Sequence, residues 1–94
     1  MDRRRLTVQQ AWIGDAVLSL YVRLKILREE ENLNGEKSAR MTSNQFLGIV
    51  GEPTEVEARI GRAYQSGGLD HAFQWIDENL GPHFARLQQK RTRA

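Results

Sequence analysis

Asp15 is an acidic residue in the most apolar stretch of the chain, between Trp12-Ile13 and Ala16-Val17. No residue three or four positions away along a helix can neutralise it. Because an unpaired buried carboxylate costs several kcal/mol, Asp15 must be paired, lie at an open surface or bind a cation. The alternative is that Gly14 interrupts a helix and Asp15 caps the start of the next one.

Glu57 is the second candidate, and it lies beside Val56 and close to Ile60 in a predicted helix. The spacing from Thr54 to Glu57 also fits a capping box, and spacing alone favours that structural role over a metal ligand. Two carboxylates on different helices are nevertheless what a hard cation such as Mg²⁺ needs, since it binds one or two carboxylates, waters and substrate phosphate oxygens.

The elements that position these residues are predicted to be helices. The first begins with Thr7 as its N-cap and runs toward Arg28, with apolar residues on more than one face, as in a helix buried on most sides. A polar turn spans 29–37. Further helices are predicted over 38–50, from Thr54 to Gly67-Gly68, from Asp70 to Gly81-Pro82 and over 83–89. No stretch alternates with a period of two, so we expect an all-α domain of about five helices.

Composition indicates one domain with a small core. The chain has 94 residues, of which 39% are apolar, and no cysteine. The lack of cysteine excludes disulfides, thiolate metal sites and a cysteine nucleophile. A lean core in a short chain often means that part of the burial occurs between chains, so we expect an oligomer. No apolar run is long enough for a membrane span and the N-terminus has no apolar signal segment, which predicts a soluble intracellular protein, cytoplasmic or organellar and not secreted.

Charge is concentrated at the two ends, although the net charge is only +2. We expect a basic N-terminal arm over 1–6, with Arg3, Arg4 and Arg5, and a basic tail over 90–94, with Lys90, Arg91 and Arg93. Such ends can bind a phosphate backbone in a salt-sensitive way. The alternative is that these basic residues are part of solvated, frayed chain termini with no binding role. Composition alone does not distinguish the two hypotheses.

Three motifs in order resemble the catalytic domain of the ribonuclease III family. They are Ala11-Trp12-Ile13-Gly14-Asp15-Ala16-Val17, running on to Leu20-Tyr21-Val22-Arg23; the segment 38–47 with Arg40 and Ser43-Asn44; and Glu57-Ala58-Arg59-Ile60-Gly61, followed by Tyr64 and Gly67-Gly68-Leu69. The larger bacterial enzymes have further acidic residues where this chain has Ala11 and Thr54. The mini-ribonuclease III branch, which has no separate double-stranded-RNA-binding domain, is similar to this chain at both positions.

The resemblance implies a fold, a reaction and a site. It implies one ribonuclease III-like domain over 1–94 and an endoribonuclease that cleaves double-stranded or structured RNA as a homodimer. Asp15 and Glu57 are the implied catalytic residues and ligands of Mg²⁺, or of Mn²⁺ in its place, with no small-molecule cofactor and no membrane partner. The expected dimer buries Trp12, Leu20, Leu24 or Phe46. The candidates for RNA contact are Arg23, Arg59, Arg62 and the terminal basic residues Arg3, Arg4, Arg5, Lys90 and Arg91.

A second hypothesis keeps the fold without the catalysis. The stretch between Asn44 and Glu57 is shorter than in the family, and Arg59 stands where the family has an aliphatic residue. Both departures favour a catalytically inactive ribonuclease III-like module that binds RNA or assembles a ribosomal or RNA-processing complex. Arg59 itself could extend its charge to solvent, pair with Glu55 or contact a phosphate.

Overall fold

The fold is all-α, as predicted. The computed structural model describes residues 2–92, with side chains through residue 88. Within that range there are no strands and five helices: α1 (Arg3–Glu30), α2 (Gly35–Met41), α3 (Asn44–Leu47), α4 (Pro53–Asn79) and α5 (Gly81–Thr92). No helix in the described range combines the length and the apolarity that crossing a membrane requires.

Helix α1 begins earlier than the sequence predicts. Asp2 is its N-cap, and the Asp2 carboxylate accepts a hydrogen bond from the Arg4 amide at 3.2 Å. The predicted cap, Thr7, lies inside the helix, where its hydroxyl donates to the Arg3 carbonyl oxygen at 3.0 Å. The first basic residues are therefore in a helical turn instead of an irregular arm. At about 1.5 Å per residue, α1 extends over most of the 47 Å long axis of the molecule.

The predicted helix over 38–50 is two short helices with a break between them. Asn34 caps α2, which ends at Met41. Ser43 then caps α3, because its Oγ accepts from the Phe46 amide at 3.1 Å. A serine hydroxyl near a chain reversal satisfies first-turn amides, so the cap outweighs the helix propensity of the flanking residues.

Helix α4 contains the two predicted helices as two segments that meet at a kink. Its N-cap is Glu52, with Pro53 in the first turn, and it continues to Asn79 with a kink at Gly68. Gly68 has a φ of 81° and a ψ of −171°, backbone angles that are not helical and that an L-residue adopts only with strain, so two helical segments meet there at a kink. The predicted stop at Gly67-Gly68 is therefore confirmed as an interruption of the helix, and the predicted stop at Gly81-Pro82 lies within two residues of the observed end.

The core lies between α1 and α4 and extends to α5. Helix α1 packs along α4, α2 covers the C-terminal part of α1, and α3 and α5 contact α4. Aromatic rings fill the region between them: Phe46 stacks on Phe84 with centroids 4.9 Å apart, and Tyr21 contacts Phe73 edge-on. The Tyr21 hydroxyl donates to the Asp77 carboxylate.

Two expectations about burial are wrong. Phe46 is only 5% exposed and belongs to the core, so it cannot contribute to a dimer surface as predicted. Helix α1 is not buried on most sides, because one of its faces is exposed within the described residues. That face carries exposed apolar side chains at Val8, Trp12, Leu20, Leu24 and Leu27.

Candidate metal centre

The candidate site lies where α1 and α4 cross at very short range. A β-carbon at Gly14 would overlap the carbonyl oxygen of Glu57, and one at Gly61 would overlap the carbonyl oxygen of Gln10. The two backbones therefore touch through a reciprocal pair of glycines, where no side chain fits. This contact fixes how far apart the neighbouring residues of the two helices lie. Among these residues are Asp15, directly after Gly14, and Glu57, one turn before Gly61.

The crossing brings the Asp15 and Glu57 carboxyl groups together. The two side chains interact, although they are 42 positions apart in sequence. Burial, the hydrogen bond with Asp15 and the negative charges of Asp15 and Glu52 raise the pKa of Glu57 to about 7. Two neighbouring carboxyl groups repel each other when both are ionised. The pair therefore holds a proton near neutral pH unless a bound cation replaces it.

The structural alternatives for the two residues do not hold. Helix α1 continues through Gly14 without interruption, so Asp15 is not an N-cap. The capping box at Thr54 is also absent, because Glu52 accepts from the amides of Thr54 and Glu55 at 3.2 and 2.8 Å. The Glu57 side chain is thus free of the cap and directed to Asp15.

The donor set fits one hard divalent cation with an incomplete protein shell. Asp15 is exposed and Glu57 half-buried, so the pair is open to solvent on one side. Among the described residues no cluster of three or more acidic, histidine or cysteine side chains could hold a metal ion. Glu52 lies close enough to influence Glu57, but its two oxygens already cap α4. Two carboxylates plus water and phosphate oxygens is a coordination shell that Mg²⁺ accepts.

An apolar groove adjoins the carboxyl pair. It has a volume of about 750 Å³ and is lined by Asp15 together with apolar side chains of α1 and of the kinked part of α4, among them Trp12, Tyr64 and Leu69. Trp12 is 81% exposed, the most exposed aromatic residue of the described range. The site is therefore a charged pair at the edge of an open apolar surface.

Arg59 and Arg62 do not point to the same side of α4 as Glu57. Arg62 donates to Glu55 at 2.8 Å and to Gln10 at 3.1 Å, and the Arg59 Nε lies 3.7 Å from the same Glu55 carboxylate. The hydrogen bond from Arg62 lowers the pKa of Glu55. Residues two positions apart in a helix point in nearly opposite directions, so this arginine pair lies across α4 from the Glu57 carboxyl. Of the three roles expected for Arg59, pairing with Glu55 is the one observed.

The other predicted RNA-contact residues are spread over the molecule. Arg3, Arg4 and Arg5 are exposed in the first turn of α1, and Arg3 and Arg4 line a surface groove with Glu52 and Glu55. Arg23 is exposed on the C-terminal half of α1. The side chains of Lys90 and Arg91, and all of Arg93, lie outside the described residues. None of the described arginines is among the charges that shift the pKa of Glu57.

Sequence reasoning missed two contributors to the site. Glu52 was not a candidate, although an acidic residue directly before Pro53 is a signal for a helix N-terminus. Gly61 drew attention only as part of a motif, because its partner Gly14 lies in another helix. Comparison with known proteins adds no relative, because no family model, curated protein or solved structure matches this chain.

Proposed function

We propose that this protein is a Mg²⁺-dependent endoribonuclease that cleaves double-stranded or structured RNA within the cell. The observation that supports the proposal is the pair of carboxyl groups from α1 and α4, held together by a glycine crossing and open to solvent on the Asp15 side. A charge pair of this kind is destabilising unless it binds a proton or a cation. A protein that needed only stability would have no use for it.

Each residue of the site has a defined role in the proposed reaction. Asp15, which is exposed, and Glu57, which is half-buried, are the residues that would hold the metal ion. When bound, Mg²⁺ would supply the activation of a water for in-line attack on a phosphodiester and the stabilisation of the leaving 3′ oxygen. Gly14 and Gly61 keep the backbones of α1 and α4 in contact, which brings the two carboxyl groups to one site.

Recognition of the substrate follows from shape and charge. An A-form duplex has a deep, narrow major groove, so a protein contacts its phosphates and 2′-hydroxyl groups instead of base edges. Arg3, Arg4 and Arg5 lie exposed on the first turn of the helix that carries Asp15, about three turns from it. They are our preferred contacts for the phosphate backbone.

A second function is favoured by two observations. No third acidic ligand accompanies the pair within the described residues, and the two central arginines are bound to Glu55. An RNA-binding or assembly module without catalysis, as in a ribosomal or RNA-processing complex, needs neither a third ligand nor free arginines at the carboxyl pair.

A cleavage assay on a generic RNA duplex separates the two functions. The enzyme hypothesis predicts Mg²⁺-dependent cutting that stops with a chelator, and Mn²⁺ should support it as well. The same duplex, measured in a binding assay with the chelator present, is the control. Binding without cleavage at any Mg²⁺ concentration would establish the module and reject the enzyme.

A further inference from the structure

Two aromatic side chains from different helices line the apolar groove beside the carboxyl pair. Trp12 lies on α1 two positions before Gly14, and Tyr64 lies on α4 one turn after Gly61, so the glycine crossing brings both to this groove. Trp12 is 81% exposed and Tyr64 is 42% exposed. Within the described residues neither ring stacks on another aromatic ring. The groove therefore has uncovered aromatic surface directly beside Asp15.

The chemistry of the groove suits a nucleobase and not the RNA backbone. Asp15 is the one charged residue among the described residues that line it, and the others are apolar or aromatic. A phosphate that entered the groove would lose water against apolar walls and would find no basic side chain there. A base is flat and uncharged, and it stacks on aromatic rings. The volume of about 750 Å³ lies in the range of small-ligand sites, about 300–1,000 Å³, and is large enough for one base.

The pairing state of the base decides which RNA can use the groove. In a regular duplex each base is paired and stacked between its neighbours, and taking it out costs about as much as one new aromatic stack returns, or more. A base that is already unpaired, as in a bulge, costs least to move. Stacking on Trp12 and Tyr64 therefore favours an RNA that carries an unpaired base, and it gives little to a fully paired duplex.

We propose that Trp12 and Tyr64 form a stacking site for one unpaired RNA base, so that the substrate class of this protein is duplex RNA interrupted by an unpaired nucleotide. A base in this groove brings the phosphates of its own nucleotide close to Asp15, because that residue belongs both to the groove and to the carboxyl pair. Cleavage is therefore expected next to the unpaired base. The inference rests on the proposed function for its RNA partner, and the experiments below separate the failure of one from the failure of the other.

Single-turnover cleavage of two duplexes in Mg²⁺ tests the substrate class. The duplexes share one sequence, and one of them carries a single extra adenosine that has no pairing partner. The parent should cut the bulged duplex at least about 10-fold faster and beside the bulge, since the stacking of one base corresponds to roughly 5- to 150-fold. Equal rates for the two duplexes would contradict this inference and leave the proposed enzyme standing.

Substitutions at the two aromatic positions separate stacking from apolar contact. Trp12→Leu keeps an apolar side chain but has no ring, so the ratio of the two cleavage rates should fall to near one, whereas Trp12→Phe should keep most of the ratio. Tyr64→Leu should lower the ratio in the same way, and Tyr64→Phe should preserve it. The control is Leu33→Ala, at an apolar position that is 89% exposed and outside this groove, and it should leave the ratio unchanged.

A fluorescent base tests the stacking site without cleavage. With 2-aminopurine at the bulge and a chelator present, saturating parent protein should quench the emission of that base, and Trp12→Leu should reduce the quenching. Quenching that depends on Trp12, with no cleavage of either duplex, would reject the enzyme and support the stacking site. A Trp12→Leu variant that changes only the sedimentation of the protein, with parental rate ratio and quenching, would assign the groove to a protein contact and overturn the inference. No binding of either duplex would overturn both proposals.

Discussion

At the scale of single residues, the carboxyl pair of Asp15 and Glu57 is the feature that demands a function. Its energetic cost depends on protonation, because a shared proton removes the repulsion and deprotonation restores it. The folded-state pKa of Glu57, about 7, lies above its ordinary value of 4.5. The folded protein therefore binds that proton more tightly than the unfolded chain does, and stability depends on pH through this one residue.

The first prediction concerns that pH dependence. The contribution of Glu57 to stability is fully present below pH 4.5 and is lost as the pH rises through about 7. Glu57→Gln removes the titrating group, so the variant should be more stable than the parent at pH 8 by about 1 kcal/mol, a value reduced for solvent screening at a partly open site. Urea unfolding at pH 5 and pH 8 measures the change.

Glu78→Gln is the control for the pH experiment, because Glu78 is exposed near the end of α4 and far along that helix from Glu57. It should leave the pH dependence of the parent unchanged. Saturating Mg²⁺ should flatten the dependence in the parent, because the ion displaces the proton. An identical pH slope in the parent and in Glu57→Gln would contradict the coupled carboxyl pair.

Sequence analysis could single out Asp15 as an unusual carboxylate, but it could not decide the role of Glu57. Asp15 stands out because its neighbours in sequence are apolar. Glu57 does not stand out, because Thr54-Glu55-Val56-Glu57 matches a capping box equally well. In the structure the helix begins at Pro53, one position before the predicted start at Thr54, and Glu52 is its N-cap. The sequence alone does not determine whether Glu52 or Thr54 caps this helix.

At the scale of elements, the crossing of α1 and α4 decides whether the site exists. Gly14 within a helix is locally unfavourable relative to alanine by about 1 kcal/mol. In the structure it is buried against the α4 backbone, which cannot move aside as a side chain can. Helix propensity therefore predicts that Gly14→Ala stabilises the protein, whereas the packing against α4 predicts that it destabilises the protein.

The second prediction uses that opposition. Gly14→Ala should destabilise the fold by about 3 kcal/mol, because overpacking against backbone outweighs the gain in helix propensity. Gly35→Ala is the matched control: a β-carbon there meets nothing within 4 Å, so the change should be neutral or slightly stabilising. Thermal or urea unfolding gives both values. A Gly14→Ala variant as stable as the parent would show that the two helices do not touch at this point.

Helix boundaries were the least predictable part of the elements. The all-α class and the strong signals of α1 and α4 follow from apolar periodicity, but the break at Ser43 and the kink at Gly68 depend on single residues. Gly67-Gly68 predicted a helix end, and the backbone at Gly68 is indeed non-helical, but the next helical segment follows directly with only a kink between them. How closely the second segment follows the first depends on its packing and is not given by the two glycines.

At the scale of the whole molecule, charge and exposed apolar surface occupy different regions. The basic residues Arg3, Arg4 and Arg5 lie at one end of α1, and exposed apolar side chains, among them Trp12 and Leu20, run along its outer face. The sequence predicted an oligomer from a lean core, and that association remains a proposal. Sequence periodicity overestimated the burial of α1, since nothing in one chain distinguishes a face covered by its own fold from a face covered by another copy.

The third prediction concerns RNA binding. If the basic first turn contacts phosphates, affinity for duplex RNA should fall steeply with salt and depend little on sequence. Replacing Arg3, Arg4 and Arg5 by glutamine should reduce the slope of log affinity against log salt by about one for each arginine that binds a phosphate in the parent. The matched control is Arg86→Gln, an exposed arginine of α5. Unchanged slopes in the triple variant would assign RNA binding to another surface.

The most direct test of the proposed enzyme is the rate of duplex RNA cleavage in Mg²⁺ by the parent, Asp15→Asn and Glu57→Gln under single-turnover conditions. Neither amide supplies the anionic ligand that the ion requires, so each variant should lose at least about 100-fold in rate while remaining folded and able to bind the duplex. Asp70→Asn and Glu78→Gln, exposed acidic positions outside the pair, should cleave like the parent. Parental cleavage rates in both Asp15→Asn and Glu57→Gln would contradict the metal site and the function proposed from it.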